Sequence, residues 1–246
     1  MTDIINIQLS DSWKGETSVY LPRIDAALQL SNKLKSTLKD NWLGQHCPGP
    51  EVSEASSIAI RIALYANSVF SVSFQSFPEI KSLWSSGKFV LIPLVVRYLY
   101  ECWGAVHYSR KTAQRLIDEE DLERELKRVN RLTSGARSEV KLPFGGNAEE
   151  KSINVLTFIQ SLSDIDSNSE EQYGFLSEAC HPNMFQSSYF QLAGPPLSNW
   201  ENESFKKHGH ELLEKTVVII ETMSAGIQDD LFNILSSCQK YVGQKG

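Results

Sequence analysis

The sequence predicts an all-α protein: one helical-bundle-like domain of about eight helices over residues 1–246. Apolar residues recur at three- and four-residue spacing along almost the whole chain, as the buried stripe of a helix requires. No stretch alternates apolar and polar side chains for long enough to form a strand. No internal repeat, low-complexity tract or clear linker divides the chain.

Each element follows from its own signals. Pro22 suits the first turn of a helix, which the stripe Ala27, Leu30, Leu34 and Leu38 carries to about Asp40. NWLGQHCPGP is a loop by its Gly and Pro content. A second helix is expected from about Glu51 to Gln75, with Ile58, Ile62, Tyr65 and Val69 on one side, before a turn at Phe77–Pro78. The helix over residues 88–113 is apolar on nearly every side, which places it centrally in a core, and Pro93 is tolerable only near its start.

Residues 117–133, IDEEDLERELKRVNRLT, are the opposite: Leu122, Leu126, Val129 and Leu132 or Thr133 face inward and the rest is charged. Acidic residues lead and Lys127, Arg128 and Arg131 follow, the order the helix dipole favours. Glu123 with Lys127, and Glu120 with Arg124, are four apart and suited to pair. SEVKLPFGGNAEE is a loop, and a helix is expected from about Ala148 to Leu162. After the loop SDIDSNSE, a short helix over 171–181 is stopped by Pro182. Residues 183–200 read as irregular, and two closing helices, about Glu201 to Met223 and Gln228 to Tyr241, divide near Gly226.

Composition narrows the function classes. The formal net charge of −6 gives the chain no global attraction for nucleic-acid phosphates, so RNA contact needs a local basic patch. Lys127, Arg128 and Arg131 are the candidate RNA-binding residues, and a solvated helix end is the plainer reading of the same run. The longest apolar run, Phe89 to Val96, falls short of the ~20 residues of a membrane span, and MTDIINIQLSD has neither the basic nor the apolar region of a signal peptide. Cys47, Cys102, Cys180 and Cys238 form no C-x-x-C pair and are expected as free thiols in the cytoplasm.

Two stretches carry candidate chemistry. Arg97 and Glu101 are four apart on the apolar helix and can pair, either as a register-fixing salt bridge or as part of a site. In YGFLSEACHPN, Tyr173, Leu176, Ser177, Cys180 and His181 are taken as one helix face, with Leu176 and Cys180 marking it as buried. His181 then ends the helix where a cation is favoured and is placed to meet Glu101; a structural cap is the alternative. Arg97, Glu101, Tyr173, Ser177 and His181 together hold a fixed cation, a carboxylate, two hydroxyls and a base. Such a set suits acid–base work on a phosphodiester or the binding of an anion.

LVVRYLYECWGAVHYS and the distal YGFLSEACHPN resemble a family of bacterial all-helical proteins of unknown function that pair an R-x3-E helix with a Y-x2-L-S-x3-H motif. The resemblance covers roughly residues 88–185 and extends to the HEPN helical proteins, many of them RNases of toxin and phage-defence systems. It implies an RNA-targeting, metal-independent effector, or its partner, with His181 as acid/base, Arg97 on phosphate, Glu101 orienting His181, and Ser177 and Tyr173 as supporting donors. The R-x4-6-H spacing of a HEPN nuclease is not met by any arginine here, so His181 would supply the histidine from another helix. Arg97 and His107 are ten apart, about 80° off on the wheel.

No cofactor or metal is expected. Glu178 and His181 form one E-x-x-H, but a carboxylate-bridged di-iron bundle needs a second, and His208 with Glu211 has the reversed order. Expected partners are RNA, a partner protein or a second copy in a homodimer. The competing class is a non-catalytic helical binding module that holds an anionic ligand or mediates oligomerisation.

Overall fold

Seven α-helices and three short 3-10 turns make up the described residues of the computed structural model, which are 18–27, 29, 52–119, 121–133, 151–181 and 203–245. No strand occurs among them, as the spacing predicts. The remainder of the first helix, the loops expected at 41–50 and 138–150, and the irregular stretch 183–200 lie outside the described residues.

The turn Ser18–Tyr20 leads into α1, residues 21–27, with Pro22 in its first turn and Ile24 and Ala27 buried. Helix α2, Glu54–Ser85, does not stop at Phe77–Pro78. Its buried positions Phe70, Ser73, Phe77, Ile80 and Trp84 keep helical spacing straight through the proline, while Pro78 itself points to solvent. Burial on both sides of the ring outweighs the lost backbone hydrogen bond.

The 3-10 turn Phe89–Leu91 opens α3, Ile92–Glu119, and Pro93 falls in its first turn. Helix α3 runs six residues past the expected end at 113. The break comes at Asp121, whose carboxylate Oδ1 accepts from Arg124 N at 3.1 Å and caps α4, Leu122–Thr133. Helix α5, Val155–Ser161, starts later than the expected 148, because Asn154 is its cap and accepts from Leu156 N at 3.1 Å. The turn Leu162–Asp164 follows, then α6, Ser169–Cys180.

The two closing helices are one, α7, Glu203–Lys245. Gly226 is not a breaker there. A Cβ at that position would overlap the Trp103 indole, so the glycine admits a large ring against the helix backbone.

The chain forms two compact units, each discontinuous in sequence. One takes residues 1–32, 74–100 and 170–225; its core has Tyr20 edge-on to Trp84 (centroids 5.7 Å) and Trp84 edge-on to Phe89 (5.5 Å). Arg23 on α1 reaches Glu214 at 2.5 Å and Glu221 at 2.7 Å on α7. The other takes residues 33–73, 101–169 and 226–246, with Ile62, Trp103, Val106, Leu116, Val129 and Leu231 buried. Here Gly104 lets the Phe158 backbone of α5 come against α3, a Cβ there lying 3.0 Å from the Phe158 carbonyl.

Helix α2 is long and apolar enough to cross a membrane by length and composition alone, and 44% of its most apolar 18-residue stretch is buried inside the protein. Its alanines and serines interleave with the larger residues, so no long unbroken apolar run announces it in the sequence.

Candidate functional site

Of the five residues expected to converge, Arg97 and Tyr173 meet. Arg97 Nη2 donates to Tyr173 Oη at 3.1 Å, and its guanidinium carbon lies 5.3 Å from the ring centroid. Tyr173 is buried and Arg97 half-buried. Glu101 stands one turn further along α3, also half-buried.

Ser177 and His181 do not join this pair through any side-chain hydrogen bond or ion pair with a described residue. His181 is exposed, one residue past the end of α6, with its backbone N–H donating to Glu178 O at 3.2 Å. Of the expected inward face, Tyr173 and Leu176 are buried, Ser177 and Cys180 are half-buried, and His181 alone stands in solvent. Phe175 and Ala179, both buried, turn the packed side of α6 toward Leu176, and His181 sits five residues beyond Leu176, roughly 140° round the wheel.

The proposed RNA-binding residues are each engaged within the chain. Lys127 Nζ donates to Glu123 at 2.7 Å, the i,i+4 pair the sequence suggests. Arg131 Nε donates to Lys151 O at 3.0 Å, and Arg128 pairs with Glu125. Glu125 carries no exposed surface, although the sequence places it among solvated charges. Leu122, Glu125, Val129 and Leu132 share helical spacing, so this carboxylate lies on the apolar stripe itself. Its Oε1 accepts from Arg124 Nε at 3.1 Å and from Arg128 Nη1, and lies 3.7 Å from Arg115 Nε. Its Oε2 and Arg115 Nε are buried without hydrogen-bond partners. Burial, with Arg128 close by, holds the Arg115 guanidinium below its ordinary pKa, and Glu125 opposes this in part.

A second polar cluster in the same unit centres on His107, which the sequence singles out only for its distance from Arg97. Trp103, His107, Arg110 and Lys111 follow one another at helical spacing on α3, and Gly226 and Asp230 are one turn apart on α7. Gly226 accepts the Trp103 ring, and Asp230 one turn later meets what that face carries. Trp103 Nε1 donates to Asp230 Oδ2 at 3.1 Å, and Arg110 Nη1 donates to Oδ1 at 2.9 Å. His107 Nδ1 lies 3.0 Å from Oδ2 and 3.1 Å from Oδ1. On the other side of the ring, His107 Nε2 lies 3.1 Å from Asp164 Oδ1, and Lys111 Nζ holds Oδ2 at 3.1 Å.

His107 is 2% exposed, Asp230 1% and Asp164 50%. An ionised carboxylate only accepts, so both ring interactions are hydrogen bonds only when both nitrogens carry protons. Burial acts to raise the Asp164 pKa, but Lys111 and His107 outweigh it and hold the carboxyl below its ordinary value. Because the two carboxylates approach opposite ring nitrogens, they share no point at which a metal could sit. Among the described residues, no group of three or more His, Cys, Asp or Glu could hold one.

The signal for this cluster is present in the sequence: four polar or indole-bearing residues on one face of an otherwise apolar helix need partners. No protein-family model matches this chain, and no curated protein or solved structure is significantly similar to it.

Proposed function

We propose that this chain is a non-catalytic helical binding module for an anionic ligand, acting in the cytoplasm. The observation that carries the reading is the state of its histidines. His107, the one drawn into a charged cluster, has both ring nitrogens on carboxylates and 2% exposure, so no substrate atom can reach it without dismantling the cluster. His181 stands in solvent with no described acid, base or cation against its ring. The cationic groups, by contrast, are held in fixed geometry by α3 and α4, which suits recognition of an anion. Among the described residues, Cys102, Cys180 and Cys238 take part in no disulfide, which supports a reducing compartment.

The test is incubation of purified wild type and His181→Ala with total RNA, with growth on expression followed in parallel. The expected outcome is intact RNA in both samples and identical growth effects from the two proteins. Degradation by wild type that is lost in a folded His181→Ala would overturn the reading and restore a nuclease.

A further inference from the structure

We infer that Arg115 and Arg128 form a phosphate-binding site beside the buried Glu125; this rests on the binding-module reading and names its ligand class and its residues. Arg124 is neutralised elsewhere, because it also pairs with Glu119 and lies 3.6 Å from Asp121. Among the described residues, Glu125 is the one carboxylate within 4 Å of Arg115 or Arg128, and both approach the same oxygen, Oε1. Two guanidiniums from two helices thus share one carboxylate, at 26% and 25% side-chain exposure. Among the described residues these two guanidiniums therefore answer to one shared carboxylate, in a half-buried setting where water screens charge poorly.

The donors are fixed in place. Arg115 Nη2 donates to Thr112 Oγ1 at 3.2 Å, its guanidinium lies 5.8 Å from the Tyr108 ring centroid, and its Nε has no hydrogen-bond partner. A phosphate group supplies what is missing: negative charge and several oxygens for planar N–H forks. A lysine pair would offer only point charges, without the planar fork that matches phosphate oxygens. Glu125 acts as the internal anion that competes for the same donors. That gives the site a signature which a purely structural ion cluster lacks.

The experiment is thermal unfolding and isothermal calorimetry of the full chain with inorganic phosphate, against chloride at matched ionic strength, and with a single-stranded oligoribonucleotide. Phosphate is expected to raise the melting temperature saturably, and Arg115→Met to weaken phosphate binding by about tenfold or more through loss of a charged donor. Glu125→Gln should melt lower than wild type in chloride but gain a larger phosphate shift. An equal shift in Arg115→Met and wild type, or no shift beyond chloride in wild type and Glu125→Gln, overturns the site. Binding of the oligoribonucleotide without any binding of inorganic phosphate overturns it too, in favour of a polymer recognised elsewhere. Failure here leaves the RNA-degradation test untouched, and RNA cleavage would remove the module reading whatever phosphate does, so the two failures are distinguishable.

Discussion

At the scale of single residues, Asp230 holds the buried cluster together. Its carboxylate receives an indole, a guanidinium and an imidazole at 1% exposure, so removing it strands buried donors. Asp230→Ala is expected to cost about 3–5 kcal/mol in urea unfolding, the range for breaking a buried pair from one side. The double variant His107→Leu/Asp230→Leu should cost clearly less than the sum of its singles, and additive losses would show the two groups uncoupled. Asp164 gives a pH signature. Its carboxyl is held low in the fold, so its contribution is present above the ordinary carboxylate pKa and is lost as pH falls through the folded value. Asp164→Asn should therefore flatten the acid limb of the stability curve and leave the limb above pH ~6 parallel to wild type. An unchanged acid limb would mean that Lys111 and His107 do not hold it.

At the scale of elements, glycine and proline mislead through the same physics that makes them informative elsewhere. Pro78 and Gly226 look like stops because each weakens an isolated helix. In α2 and α7 the side chains around them are buried, and tertiary packing decides. This separates two glycines in one experiment. Gly174→Ala meets nothing within 4 Å and should stabilise by about 0.5–1 kcal/mol from helix propensity alone. Gly226→Ala gains the same propensity but drives a methyl into Trp103, and should lose about 1–3 kcal/mol net. Thermal melts that move in the same direction for both would refute the packing role of Gly226. The face of α6 misleads for a related reason. Selecting the polar members of YGFLSEACHPN gives a face through His181, whereas the buried set is Tyr173, Phe175, Leu176 and Ala179, which leaves His181 outside.

At the scale of the whole molecule, what is legible in the sequence is local and what escapes it is not. Helical periodicity is written into neighbouring residues, so the all-α class and Pro93 at a helix start follow from the sequence. The His107 cluster joins residues 57, 120, 123 and 127 positions apart, and no spacing rule reaches that far. What can be read is a demand: Trp103, His107 and Arg110 on one face require acceptors, and Asp230, one turn from a glycine, can supply them. Helices α2, α3 and α7 each contribute to both compact units, and the cluster belongs to the one that holds residues 101–169 and 226–246. The claim that the His107 ring is enclosed and structural is tested most directly by nitrogen-15 NMR of that ring at neutral pH, with and without RNA. A ring N–H signal that exchanges slowly with water and is unmoved by RNA is expected. An N–H signal that exchanges at once with solvent and shifts on adding RNA would contradict the account and make His107 an accessible acid or base.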